Sequence, residues 1–131
     1  MSDELFNFEL ITPSKVLISE SVNSVSIQGV EGDMTIFSNH SPIATALRPG
    51  YLNVVLNNKS ENYFVTGGFV QIIGDEVVIL AENATLESEV SLEMIDQTIN
   101  KTKNLMENAS ELQKCVLAKK LNDLTIIKSQ L

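Results

Sequence analysis

Val30-Glu31-Gly32-Asp33-Met34-Thr35-Ile36-Phe37-Ser38-Asn39-His40-Ser41-Pro42-Ile43-Ala44-Thr45-Ala46-Leu47-Arg48-Pro49-Gly50 is the stretch that decides how this chain is read. Glu31-Gly32-Asp33 predicts a turn, because glycine takes positive φ without steric penalty and aspartate bonds its own backbone. His40-Ser41-Pro42 and Arg48-Pro49-Gly50 are two further breaks, and Pro-Gly is a strong turn dipeptide. Between the breaks lie short apolar runs, 34–37 and 43–47, of the length of β-strands.

The same rhythm extends outward in both directions. Residues 5–11 alternate roughly and end at Thr12-Pro13. Residues 16–18 and 22–27 follow, the second with a period near two, and 29–32 turn the chain. Beyond the central stretch, 51–56 reads as a strand and Asn57-Asn58-Lys59-Ser60 as a hairpin turn. Residues 63–66 lead into Gly67-Gly68 and then 69–73. Gly74-Asp75 signals another hairpin, and the β-branched run 76–80 closes the series. Strands this short with turns this frequent indicate a sandwich or barrel. No helix of 10–15 residues separates them, which argues against a parallel βαβ sheet.

From Ser91 the period changes. Leu92, Ile95, Ile99, Thr102 and Met106 recur at three- and four-residue steps, one stripe of a helix. Ser91 is placed to N-cap it, with Glu93 favourable in the first turn. Asn108-Ala109-Ser110-Glu111 has capping-box spacing and predicts the start of a second helix, with a stripe of Leu117, Leu121, Leu124, Ile127 and Leu131. The short gap predicts an antiparallel pair. Two short helices cannot bury both stripes alone, so the pair is expected to lie on the β domain or on a partner.

Charge follows the same division. Residues 1–86 carry ten acids against Lys15, Arg48 and Lys59, whereas 87–131 carry seven acids against six lysines. A boundary near Glu87 gives two domains, 1–86 and 87–131. The net charge of −8 argues against nucleic acid, whose binding needs basic surface, and disfavours docking on anionic lipid. No apolar run approaches the roughly 20 residues that span a bilayer. The acidic start, Met1-Ser2-Asp3-Glu4, lacks the basic and apolar parts of a signal peptide, so the chain is expected to stay where it is made. The single cysteine, Cys115, fits a reducing compartment and is expected to be a buried, inert thiol in an apolar helical stretch.

Catalytic chemistry finds no foothold. His40 is the only histidine, without the other ligands a metal needs, and reads as a turn residue bonding nearby backbone. Cys115 lies on a separate helical segment, and nothing brings it to His40. Glu31 and Asp33 flank a glycine at a turn tip, which does not push two carboxyl pKa values apart for acid–base work. Gly67-Gly68 lacks the lysine and following helix of a phosphate loop, and predicts a bulge or tight sheet contact. No aromatics interleave with basic residues, so no base-stacking platform exists. No catalytic residue, metal or cofactor is expected.

The order of turns in 30–50 resembles the epsilon subunit of the rotary, proton-translocating ATP synthases of bacteria. That family carries a Glu-Gly-acidic turn, then His-x-Pro, then Pro-Gly, at nearly these spacings. Phe8-Glu9-Leu10-Ile11-Thr12-Pro13 is similar to its first strand, Val65-Thr66-Gly67-Gly68-Phe69-Val70 to its glycine-pair strand, and Val77-Val78-Ile79-Leu80-Ala81-Glu82-Asn83-Ala84 to its last strand and exit. The resemblance implies a ten-stranded β-sandwich followed by a C-terminal antiparallel two-helix hairpin. It implies a non-catalytic rotor subunit of the central stalk, binding gamma and the ring of c subunits and coupling proton flow to ATP synthesis. Its place would be peripheral, on the cytoplasmic side of the inner membrane, without insertion. The ring-facing turn matches Glu31, Gly32 and Asp33, and a region close to gamma matches His40 and Ser41. Thr35 stands where the family often has Gly, and Ser38 and Asn39 where it often has Pro or Gly before the histidine.

In the tail the departures matter more. Some members bind ATP through Ile-Asp-x-x-Arg-Ala. Here Ile95 and Asp96 match, but Ile99 and Asn100 replace Arg and Ala, and Arg48 is the only arginine in the chain. Lysine does not replace a guanidinium fork on phosphate, so ATP binding is not expected. In some members the hairpin enters the catalytic head and presents basic residues to beta. Lys114, Lys119, Lys120 and Lys128 could form such an inhibitory face toward the alpha and beta subunits, against the plainer reading of a solvated lysine face. The alternative to a rotor subunit is a free-standing ligand-binding or adaptor β-sandwich with a helical cap.

Overall fold

The computed structural model describes residues 4–38 and 41–130. The chain divides into two compact units, Met1–Glu87 and Ser88–Leu131.

The first unit holds ten strands: β1 (Phe6–Thr12), β2 (Lys15–Val22), β3 (Ser24–Gly29), β4 (Gly32–Ile36), β5 (Ile43–Leu47), β6 (Gly50–Leu56), β7 (Lys59–Val65), β8 (Gly68–Ile73), β9 (Glu76–Ala81) and β10 (Ala84–Leu86). Their hydrogen-bonded order is β10-β7-β6-β3-β5-β8-β9-β1-β2, with β4 paired to β3 alone. β2 comes back into contact with β6, so the sheet folds over itself around one core in a sandwich-like form. Period-two alternation creates that core. Phe6, Phe8 and Leu10 of β1, Val25 and Ile27 of β3, Val70 and Ile72 of β8, and Val77 and Ile79 of β9 are all buried. Each such side chain stabilises the fold by about 1.5–3 kcal/mol.

Nine of the ten strands lie where the alternation predicts them, with three differences of boundary. Val22 ends β2 rather than opening β3, because the chain breaks at Asn23, whose backbone N–H donates to the Val55 carbonyl (2.8 Å). The β3–β4 turn is Val30-Glu31, with Gly29 opposite Gly32, so Gly32 and Asp33 belong to β4. The Asn57-Asn58 turn occupies only those two residues (φ +50° and +68°), while Lys59 and Ser60 pair with Leu56 and Val55. Left-handed backbone at both central positions is the requirement of a type I′ hairpin, and asparagine tolerates it. The tenth strand, β10, pairs with β7, and β1 runs parallel to β9.

Gly67-Gly68 is the tight sheet contact that its sequence predicts. Gly68 pairs with both Leu47 and Ala81. A Cβ there would stand 2.3 Å from the Leu80 carbonyl oxygen.

The second unit has a short 3-10 turn before it (Glu87–Glu89), then α1 (Leu92–Glu107) and α2 (Glu111–Ser129). The Ser91 side chain caps α1 by accepting from the Met94 N–H (3.2 Å). The capping box of α2 lies two residues beyond the one expected. Ser110 and Gln113 form it, because Asn108 is already the C-cap of α1. The helices pack on each other as an antiparallel hairpin, and Ile95, Ile99, Thr102, Leu124 and Ile127 are buried. Buried Thr102 satisfies its hydroxyl on the Thr98 carbonyl (2.9 Å). Leu92 of the predicted stripe is half exposed, and Leu131 lies outside the described residues. Cys115, expected buried, is exposed: it lies on the solvent side of α2, away from Leu124 and Ile127.

Candidate functional site

The acidic tip is built by two neighbouring turns. The β3–β4 turn carries Val30, 59% exposed, and exposed Glu31. The β5–β6 turn carries Arg48 and Pro49. Backbone bonds join them: the Val30 N–H donates to the Ala46 carbonyl (3.0 Å), and the Arg48 N–H to the Gln28 carbonyl (3.1 Å). On the outer side, Arg48 Nη2 donates to Asp33 Oδ1 at 3.3 Å. The strand register brings Thr66-Gly67 and Glu82 to this same end, where the Glu82 N–H donates to the Gly67 carbonyl (3.0 Å). Glu31, Asp33 and Glu82 are exposed there, with Arg48 beside Asp33 and exposed Lys15 at the β1–β2 turn on the same end.

A cleft of about 300 Å³ opens along the β3–β4 hairpin, lined by Gln28, Asp33, Met34 and Tyr51 among others. Two of its hydroxyls occupy each other, Ser26 Oγ lying 3.0 Å from Thr35 Oγ1. Desolvation raises the Tyr51 pKa, aided by the charge of Glu87. No nucleophile–base pair converges on the cleft, and among the described residues no group of three or more potential metal ligands forms.

Of the two residues expected near gamma, only Ser41 is described, and it sits elsewhere. His40 lies outside the described residues. Exposed Ser41 precedes β5, whose first residue pairs with Ile72 near the Gly74-Asp75 turn. That is the opposite end of the sandwich from Glu31, separated by the length of β5, roughly 17 Å.

The tail residues have definite places. Ile95 is fully buried, and Ile99 faces inward where the ATP motif would carry its arginine. Asp96 is engaged: its Oδ1 lies 2.7 Å from Lys128 Nζ, an ion pair joining the start of α1 to the end of α2. At about 100° per residue, Lys114, Lys120 and Lys128 fall within one arc of roughly 120° on α2, and Lys119 lies outside it. Lys119 is exposed, and Lys114 and Lys120 are half-buried.

Two features escaped the sequence reading. Arg48 was visible as the sole arginine beside Pro-Gly, yet nothing in the pattern pointed to Asp33. The other is an apolar row on the outer sheet face. Val16 (54% exposed) pairs with Ile11, Ile11 with Leu80 (52%), and Leu80 with Phe69 (45%), across four adjacent strands.

Comparison with known proteins fits this architecture. The family described as ATP synthase, Delta/Epsilon chain, beta-sandwich domain matches residues 5–87, ending where the first compact unit ends. The chain belongs to the ATP synthase delta/epsilon family. Members named ATP synthase epsilon chain match its length. One from Jannaschia sp. (strain CCS1) is 40% identical over 119 residues, covering 91% of this chain and 90% of the relative. One from Rhodobacter capsulatus is 32% identical over 131 residues, covering 100% and 98%. Among solved structures, a chain of the Euglena gracilis mitochondrial ATP synthase aligns with a TM-score of 0.72 at 19% identity, covering 98% of this chain and 85% of that one. A chain of the Tetrahymena thermophila mitochondrial ATP synthase central stalk and c-ring structure aligns at 0.69 and 15% identity, covering 99% and 98%. At these identities the structural neighbours speak for the fold alone.

Proposed function

We propose that this chain is the epsilon subunit of a bacterial ATP synthase: a non-catalytic rotor component that binds gamma and the c-ring and couples proton translocation to ATP synthesis. The observation that carries the reading is the end-to-end match to epsilon chains, tail included, at 32% identity over 131 residues. The geometry supports it in two ways. The acidic tip around Glu31 offers complementary charge to polar or basic ring loops, and such charge fixes register more than affinity. The exposed row of Val16, Leu80 and Phe69 is contiguous apolar surface of the kind protein interfaces cover. Among the described residues no helix is long and apolar enough to cross a membrane, and the proposed place is peripheral, on the cytoplasmic side of the inner membrane.

The hairpin does not read ATP in this proposal. Ile99 is turned inward and Asp96 is held by Lys128. Restraint of ATP hydrolysis by the hairpin would rest on Lys114, Lys119 and Lys120, with Lys128 already paired to Asp96. Co-expression with the gamma chain of the same organism tests the central assignment. A 1:1 complex that survives size exclusion is expected. Elution of the two chains apart contradicts it.

A further inference from the structure

The two acids of the tip do different things. Glu31 stands in the turn itself, exposed. Asp33 lies on β4, the strand that pairs only with β3 and takes no other part in the sheet. A strand with one partner is held on one side only. Ile36 anchors its far end in the core, and at the tip end the Arg48–Asp33 ion pair reaches from the β5–β6 turn across to β4. The arginine is anchored to do this. Its Nε is buried and has no hydrogen-bond partner among the described residues, while its backbone N–H is bonded to Gln28. The guanidinium is thus enclosed at Nε, while Nη2 reaches out to Asp33. Arg48 is also the only arginine in the chain, and a guanidinium holds a carboxylate in a more defined geometry than an ammonium does.

We propose that Arg48 is a positioning residue for ring contact: by holding Asp33 it fixes β4 and so presents Glu31 in the pose that meets the ring. This rests on the proposed ring-facing role of the tip. Three variants test it: Arg48→Ala, Asp33→Asn, and the exchanged pair Asp33→Arg with Arg48→Asp. In the isolated full chain, both single variants should speed amide exchange across residues 32–36 about two- to fivefold, the range of an exposed ion pair. The exchanged pair should recover part of that protection. In membrane vesicles carrying the assembled enzyme, the single variants should lower ATP-driven proton pumping relative to ATP hydrolysis, and the exchanged pair should restore the ratio. Glu31→Lys, which leaves the ion pair intact, is measured beside them. Unchanged amide exchange in both single variants overturns the proposal. So does faster exchange with an unchanged ratio when Glu31→Lys lowers that ratio. If neither Glu31→Lys nor the ion-pair variants move the ratio, the ring-facing reading itself falls.

Discussion

Replacing Gly68 by alanine tests the sandwich at its tightest point. The new Cβ would lie 2.3 Å from the Leu80 carbonyl oxygen and 2.9 Å from the Ala81 Cα. Both obstacles are backbone. They belong to β9, which is laddered to β8 on one side and to β1 on the other. A close carbon–oxygen contact is about 3.3 Å, so β9 must recede by about 1 Å or β8 must leave the ladder. Overpacking of this kind costs about 1–3 kcal/mol. The backbone at φ +156° adds strain for any side chain, about 1–3 kcal/mol. The expected loss is about 3–5 kcal/mol, a large part of the 5–15 kcal/mol typical of a domain. Gly74→Ala is the control: its φ is +59° but nothing lies within 4 Å of the added Cβ, so the loss should be only about 1–2 kcal/mol. Urea denaturation followed by tyrosine fluorescence reads the sandwich alone, because there is no tryptophan and both tyrosines, Tyr51 and Tyr63, lie on β6 and β7. A Gly68→Ala loss below about 1 kcal/mol, or no greater than that of Gly74→Ala, would refute the close-approach argument.

Three other outcomes follow from the same geometry. A chain ending at Glu87 should keep a β-type circular dichroism spectrum and a cooperative melt, since β10 is retained; an unfolded truncate at room temperature would refute independent folding. Tyr63 is pushed up to about 12 from 10.0 by burial, by its hydrogen bond to Glu61, and by the charges of Glu61 and Glu20. The unfolded phenol therefore ionises first, so stability should fall as pH rises from about 10 to 12, and Tyr63→Phe should remove that part of the decline; an identical alkaline profile in the variant would contradict it. Titration calorimetry with millimolar ATP should show no saturable heat, and a micromolar dissociation constant would mean that Lys101 or Lys103 replaces the missing guanidinium.

Much of the sandwich was legible because its signals are local. Period-two alternation and turn dipeptides place nine strands, and the glycine pair correctly announces a close backbone approach. β10 was missed because Ala84-Thr85-Leu86 is three residues with no alternation, and its strand character comes from pairing with β7. The parallel β1–β9 pairing is likewise a long-range fact that no window contains. In the tail, two overlapping capping frames compete, and the C-cap of α1 at Asn108 decides for Ser110. The burial of Cys115 was misjudged because α2 is weakly amphipathic, leaving Leu112 and Val116 exposed beside it. Glu31 was legible as a turn acid. The Arg48–Asp33 and Asp96–Lys128 pairs were not, because each joins elements distant in sequence.

The most direct measurement restores function rather than removing it. Membranes carrying an ATP synthase depleted of its own epsilon chain should lose ATP-driven proton pumping relative to hydrolysis. Adding this purified chain should return pumping in proportion to the amount bound, saturating at one copy per enzyme. Pumping that stays uncoupled while the chain remains in the supernatant would contradict the assignment to the rotor.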